Sequence, residues 1–174
     1  MPKYVIYLLA SLFVVFVAAP ATHAQEVLAS FPLDSDQGVL SPKDVTVDTA
    51  ISSDGKASLR FDSPAPRVIP LIQIGDLDIE NAKLVYRAKV RSHDLQGKAF
   101  LEMWCSFAGL GDYFSKGPTS TVTGSQDWTE LETAFFLKSG ENPVDIKLNI
   151  VIEGKGTVWI DDVRLIKEPL SASE

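Results

Sequence analysis

Over most of the chain apolar and polar positions alternate with a period of two, the spacing of half-buried β-strands. Val45, Val47, Thr49 and Ile51 share one parity, and Ser52-Ser53-Asp54-Gly55 then turns the chain into 56–61. Pro64 and Pro66 interrupt it before the apolar run 68–74, where Pro70 predicts an edge strand or a bulge. Leu84, Tyr86, Ala88 and Val90 define one face of a strand over 82–92. Gln96-Gly97 predicts a turn into a strand over 98–107, in which Leu101, Met103, Cys105 and Phe107 share a face. A glycine-bearing loop over 108–118 precedes a strand at 119–123. Leu131, Thr133, Phe135 and Leu137 mark another inward face, as do Ile146, Leu148, Ile150 and Ile152 after a turn at 139–143. In the last strand Val158 and Ile160 are on one parity, Val163 and Leu165 on the other. Either both faces are partly buried there, or a bulge at Asp161-Asp162 resets the alternation. About nine or ten short strands between turn signals predict an all-β fold, a two-sheet antiparallel β-sandwich of jelly-roll type. A closed barrel is the alternative.

The first 24 residues break this pattern. Lys3 precedes the apolar run 5–19, Pro20 ends it, and Thr22-His23-Ala24 offers a small-x-small cleavage site. Such a segment is expected to be a secretory signal peptide, which makes the protein secreted or periplasmic. The alternative is an uncleaved anchor, for which the run is short. The expected organisation is thus a leader at 1–24, a β-sandwich domain at 25–167 and a loose C-terminal tail at 168–174. Loss of Lys3 with the leader takes the net charge from −7 to −8. An acidic domain without a basic cluster argues against nucleic acid, and no membrane insertion is expected after cleavage. Cys105, the single cysteine, excludes an internal disulfide and is in register with core positions, so an inert buried thiol is expected.

Several motifs resemble the galactose-binding-like jelly-roll superfamily, which includes many carbohydrate-binding modules of bacterial glycoside hydrolases. They are Ser58-Leu59-Arg60-Phe61, Tyr86-Arg87-Ala88-Lys89-Val90, Asp127-Trp128-Thr129 and, above all, Gly156-Thr157-Val158-Trp159-Ile160-Asp161-Asp162-Val163-Arg164-Leu165. The resemblance spans about Ser30 to Leu165, and Phe31-Pro32-Leu33-Asp34 matches the group's opening Phe-Glu pair only loosely. It implies a non-catalytic module that binds glycan. It also implies a structural calcium held by Asp161, Asp34 and the Ser53-Asp54-Gly55 turn, since calcium takes six to eight hard oxygens. The alternative is that Asp161 and Asp162 occupy a bulge, capped by backbone N–H groups or by Arg164.

Strand parity supplies the candidate ligand site. With Leu101, Met103 and Cys105 inward, Glu102, Trp104 and Ser106 face out, as do Arg87 and Lys89 on one strand and Lys147, Asn149, Val151 and Glu153 on another. An indole can cover the C–H face of a pyranose while Glu102, Arg87 and Asn149 meet hydroxyls, and Tyr113 and Phe114 could wall the site. The competing expectation is that the 108–118 loop folds over Trp104. Trp128 and Trp159 read as structural, the first closing the sandwich. Chemistry for catalysis is sparse. His93 is the one histidine beyond the leader and reads as a solvated turn residue, which leaves neither a zinc constellation nor a Ser/His/Asp triad. Glu102 and Glu153 could be imagined as a glycosidase pair. Gly109-Leu110-Gly111 lacks the helix and Lys-Ser/Thr of a phosphate loop. The second functional expectation is a structural or protein-interaction module with an envelope protein as its partner.

Overall fold

A computed structural model describes residues 25–75 and 77–170. It contains seven strands, β1 (Glu26–Phe31), β2 (Thr46–Asp48), β3 (Ser58–Ser63), β4 (Arg67–Gly75), β5 (Ala82–Phe107), β6 (Gly111–Leu137) and β7 (Pro143–Glu168), with a 3-10 turn at Pro42–Asp44. All pairings are antiparallel. β5 is central, with β6 along one side from Ala82↔Leu137 to Phe107↔Gly111. β7 lies along the other, from Lys83↔Glu168 to Phe107↔Pro143. The outer side of β7 receives β1, β3 and β4 in turn, and β2 adds to β3.

β5, β6 and β7 are 26, 27 and 26 residues long, so each covers what the sequence pattern divides into two strands. They bend together near the middle, where the β5–β6 and β5–β7 registers shift. The first half-sheet holds β5 82–92, the ends of β6 and β7, and β1 to β3. The second holds β5 98–107, the beginnings of β6 and β7, and β4. Leu84, Tyr86, Ala88 and Val90 of one half and Leu101, Met103 and Cys105 of the other belong to a single buried cluster with Ile146 to Ile152 and Val158 to Leu165. That burial supplies the driving force for folding one half over the other. The architecture is therefore the expected antiparallel sandwich, but Gln96-Gly97, with Gly154 opposite it, marks a corner rather than a chain reversal.

At that corner Gly97 and Gly154 are cross-strand partners. A Cβ on Gly97 would lie 1.9 Å from the Glu153 carbonyl oxygen, and one on Gly154 would lie 2.0 Å from that of Gln96. The corner also switches the inward parity of β5 from even (84–90) to odd (99–107).

The terminal strand carries the expected bulge, and its other face is buried as well, at Trp159, Asp161 and Ile166. Arg87 pairs with Arg164 and Lys89 with Asp161, so Asp162 and Val163 stand opposite Ala88 alone, and Asp162 adopts φ +48. Val158, Ile160, Val163 and Leu165 are thereby all buried. β4 is an edge strand, and its register slips between Pro70 and Ile72. The 108–118 stretch is not a loop. The chain turns at 108–110 and returns as β6, whose residues 117–120 bulge out opposite Leu101. From this segment Ser115 Oγ lies 2.7 Å from Thr133 Oγ1, and Ser120 Oγ accepts the Glu132 N–H at 3.0 Å. The two halves of β6 are thus tied together along that side of the sandwich.

Trp159 is buried, its Nε1–H donating to Asp48 Oδ2 at 2.9 Å with the Arg60 guanidinium over its ring. Trp128 does not close the sandwich. It is only half-buried and outside the core cluster. Glu168 is no loose residue either, because it closes β7 against Lys83 and accepts from Gln25. The leader at 1–24 and residues 171–174 lie outside the described residues.

The Tyr86 hydroxyl is fully buried in the core without a partner, and burial pushes its pKa far upward. An orphaned polar group costs its desolvation. Tyr86→Phe is therefore expected to leave the urea midpoint unchanged or raise stability by about 1 kcal/mol. A clear loss would show that the hydroxyl is bonded after all.

Candidate functional site

Residues two apart on a strand share a face. On the outer face of the second half-sheet β5 therefore presents Glu102 beside Trp104. The register sets Glu102 between Asn149 of β7 and Lys116 of β6, and sets Trp104 beside Phe114. Glu102 Oε1 accepts Trp104 Nε1–H at 2.8 Å and Asn149 Nδ2–H at 2.9 Å, while Oε2 is 3.1 Å from Lys116 Nζ. The Glu102 side chain is only 4% exposed. Burial alone would raise its pKa, but the donors from Asn149, Trp104 and Lys116 outweigh it and hold the carboxylate below the usual glutamate range. By accepting the Trp104 ring N–H, the carboxylate fixes the orientation of that indole.

The Phe114 ring is tilted 44° against Trp104 with centroids 5.0 Å apart, and Lys116 Nζ lies 5.0 Å from the Phe114 centroid. Trp104 is half-buried and Phe114 is 54% exposed, so the two rings form a partly open apolar shelf. Phe114, the cross-strand partner packed on Trp104, comes from the 108–118 stretch, which meets the indole as a paired strand. Asn149 Oδ1 is buried without a hydrogen-bond partner. The accessible part of the group is an aromatic shelf and an ammonium, and the Asn149 amide is buried beside them.

The structure brings together Glu102, Trp104, Asn149 and Phe114 of the expected site and leaves out two. Arg87 belongs to the other half-sheet, where it meets Glu132 at 2.7 Å and Glu130 and Glu168 at 3.6 Å. Tyr113 is on the opposite face of β6 from Phe114 and meets Phe107 edge-on at 5.9 Å. Lys116 was missed because 108–118 reads as loop. The alternation Phe114, Lys116 against Tyr113, Ser115 is the signal for its strand.

Around the expected metal residues, Asp161 is 1% exposed, with Oδ2 accepting the Ser53 N–H at 2.7 Å and Oδ1 the Asp162 N–H at 2.8 Å. This is the capped bulge. Asp34 and Asp54 face the Lys56 ammonium at 3.5 and 3.3 Å. Asp34 Oδ1 and Ser53 Oγ are buried without partners. Among the described residues no three His, Cys, Asp or Glu side chains converge to hold a metal ion.

Glu153 pairs with Lys98 at 3.4 Å, and its strand partner is Lys98 rather than Glu102. His93 is exposed beside Asp94. Burial, with the Asp145 charge, pushes the Cys105 thiol up to about 12, as suits an inert core residue.

No family model and no curated protein sequence matches the chain. Solved structures do. The CBM22-1 xylan-binding domain from Paenibacillus barcinonensis Xyn10C superposes with a TM-score of 0.59 at 14% identity, covering 87% of this chain and 100% of that one. The CBM22-1–CBM22-2 tandem domain of the same protein gives 0.60 at 17% identity, over 90% of this chain and 49% of that one. The CBM22-1–GH10 modules of Clostridium thermocellum Xyn10B, complexed with xylohexaose, give 0.55 at 13% identity, over 71% and 24%. The chain has the β-sandwich jelly-roll fold of carbohydrate-binding modules, as its motifs led us to expect.

Proposed function

We propose that this protein is a secreted or periplasmic, non-catalytic module that binds a glycan on the outer face of its second half-sheet. The observation that carries the reading is the Trp104–Phe114 shelf, oriented by Glu102 and flanked by Lys116 and Asn149. A pyranose ring would lay its C–H face on the aromatic shelf while its hydroxyls meet the Lys116 ammonium. The fold of xylan-binding domains makes xylan the first polysaccharide to test. A structural calcium is the second part of the proposal. Asp34, Ser53 and Asp161 would hold it and clamp the first loops to β7, with Lys56 giving up Asp34.

The test is retention on insoluble xylan and on a glycan array, in calcium and in chelator. Wild type is expected to be retained, and Trp104→Ala and Phe114→Ala each to weaken retention about tenfold or more, the equivalent of ~1.4 kcal/mol of lost stacking. Phe114 is exposed enough that its loss should barely move the melting temperature. Unaltered retention in both variants would overturn the site. An array without hits, together with co-purification of an envelope protein, would favour an interaction module. A melting midpoint identical in calcium and chelator would remove the metal.

A further inference from the structure

At the free end of the β5–β6 hairpin, away from the Trp104 face, a cavity of about 190 Å³ is lined by Phe107, Leu110, Tyr113, Phe135 and Glu141. We propose that it is a binding site for a quaternary ammonium head group, such as that of choline or a trimethylated amine. The proposal is independent of the glycan reading, since it uses other residues on another surface.

Three rings are in the lining, two of them tilted against Phe107. Phe107 and Tyr113 meet at 69° with centroids 5.9 Å apart, and Phe107 and Phe135 at 43° and 6.0 Å. Non-parallel rings present faces and edges in several directions, and the negative face of each attracts a cation. The single carboxyl group in the lining belongs to Glu141. Its position is set by the turn that carries it. Glu141 Oε2 accepts the Lys138 N–H at 2.9 Å, and the Glu141 N–H donates to the Lys138 carbonyl at 3.1 Å. The neighbouring Gly140 N–H donates to Glu80, and Asn142 Oδ1 accepts the Ile79 N–H at 3.0 Å. The carboxylate is thus held beside the rings before any ligand arrives, which lowers the ordering cost of binding.

Size and chemistry narrow the occupant. The cavity is below the roughly 300–1,000 Å³ of ordinary ligand pockets, so it takes a head group rather than an oligosaccharide. A sugar would need several hydrogen-bonding partners, and a primary ammonium would need three acceptors for its N–H groups. Ring faces provide neither. A quaternary ammonium has no N–H to satisfy and an apolar methyl shell, so aromatic faces and one carboxylate complete its surroundings. The acidic chain, at −7, favours the approach of a cation.

The experiment is a titration of the protein with choline chloride, followed by NMR of the Tyr113 and Phe135 ring signals. The uncharged isostere 3,3-dimethylbutanol serves as the shape control. Saturable shifts with choline are expected, with the isostere at least about tenfold weaker, and choline affinity should fall several-fold in Glu141→Gln and in Tyr113→Ala. Tyr113 is exposed, and Gln at 141 keeps an oxygen for the Lys138 N–H, so folding should be preserved, and a thermal melt verifies it. Equal binding of choline and its isostere, an undiminished response in Glu141→Gln, or no saturation with choline would each overturn the assignment.

Discussion

Gly97→Ala is expected to be among the most destabilising substitutions in this protein, costing about 3 kcal/mol or more and lowering the melting temperature by roughly 10 °C. Two effects combine there. Gly97 adopts φ +131, a conformation that L side chains rarely take, and its Cβ would be driven to within 1.9 Å of the Glu153 carbonyl oxygen. That atom belongs to backbone paired with Lys98 of β5 and cannot yield as a flexible side chain would. Two other glycines separate the contributions. Gly55 has φ +88 and nothing within 4 Å of the added Cβ, so Gly55→Ala should cost only the conformational part, about 1 kcal/mol. Gly154 is under no such torsional demand but would strike the Gln96 carbonyl oxygen at 2.0 Å, so Gly154→Ala reports the steric part. Because Gly97 and Gly154 face each other, the double variant should cost less than the sum of the two singles. Urea denaturation of the four variants decides the matter. If Gly97→Ala is no worse than Gly55→Ala, the strands do not close at this corner and the folding-over of the two half-sheets is wrong.

That corner also shows where sequence reading reaches its limit. Alternation identified the inward residues of nearly every segment, because period two is a local property of one strand. Ile146, Leu148, Ile150 and Ile152 are all buried as the pattern requires, and the conflict of parity around Asp161 correctly narrowed to two physical possibilities. Gly97 and Gly154, however, carry the same local signal whether the chain reverses or bends while keeping its neighbours. Only long-range pairing distinguishes these, and pairing is not written in one segment. The site divides along the same line. Glu102 and Trp104 share a face by spacing alone, and Asn149 joins them because its strand lies beside theirs. Arg87 is also outward, but a sandwich has two outsides, and parity does not say which one. Tyr113 and Phe114 are adjacent, so once 108–118 is seen to be strand they cannot stand on the same side. Reading glycine content as loop content hid both that division and Lys116.

Glu102→Ala should likewise be costly, about 2–4 kcal/mol, because it strips the acceptor from three donors at once. The Trp104 and Asn149 N–H groups sit in a largely buried setting and lose the acceptor they share, whereas the Lys116 ammonium is exposed enough to recover water. Glu102→Gln keeps an oxygen for Trp104 and Asn149 and loses the charge facing Lys116, so an intermediate cost of about 1–2 kcal/mol is expected. The pH dependence follows from the direction of the shift. The folded protein holds this carboxylate below its ordinary value near 4.5, so the unfolded chain binds the proton first as acid is added. Stability from Glu102 is therefore complete above about pH 4.5 and is lost as the pH falls through the lower folded value. Asp48 and Asp62 are depressed too, so the informative quantity is the wild type minus Glu102→Gln difference. That difference should be constant at neutral pH and shrink on acidification below about 4.5. A difference that does not change with pH would mean that Glu102 is no anion in the folded protein. A Glu102→Ala variant as stable as wild type and still retained on xylan would mean that the carboxylate does not set the Trp104 ring. The aromatic shelf would then owe its orientation to Phe114 packing alone.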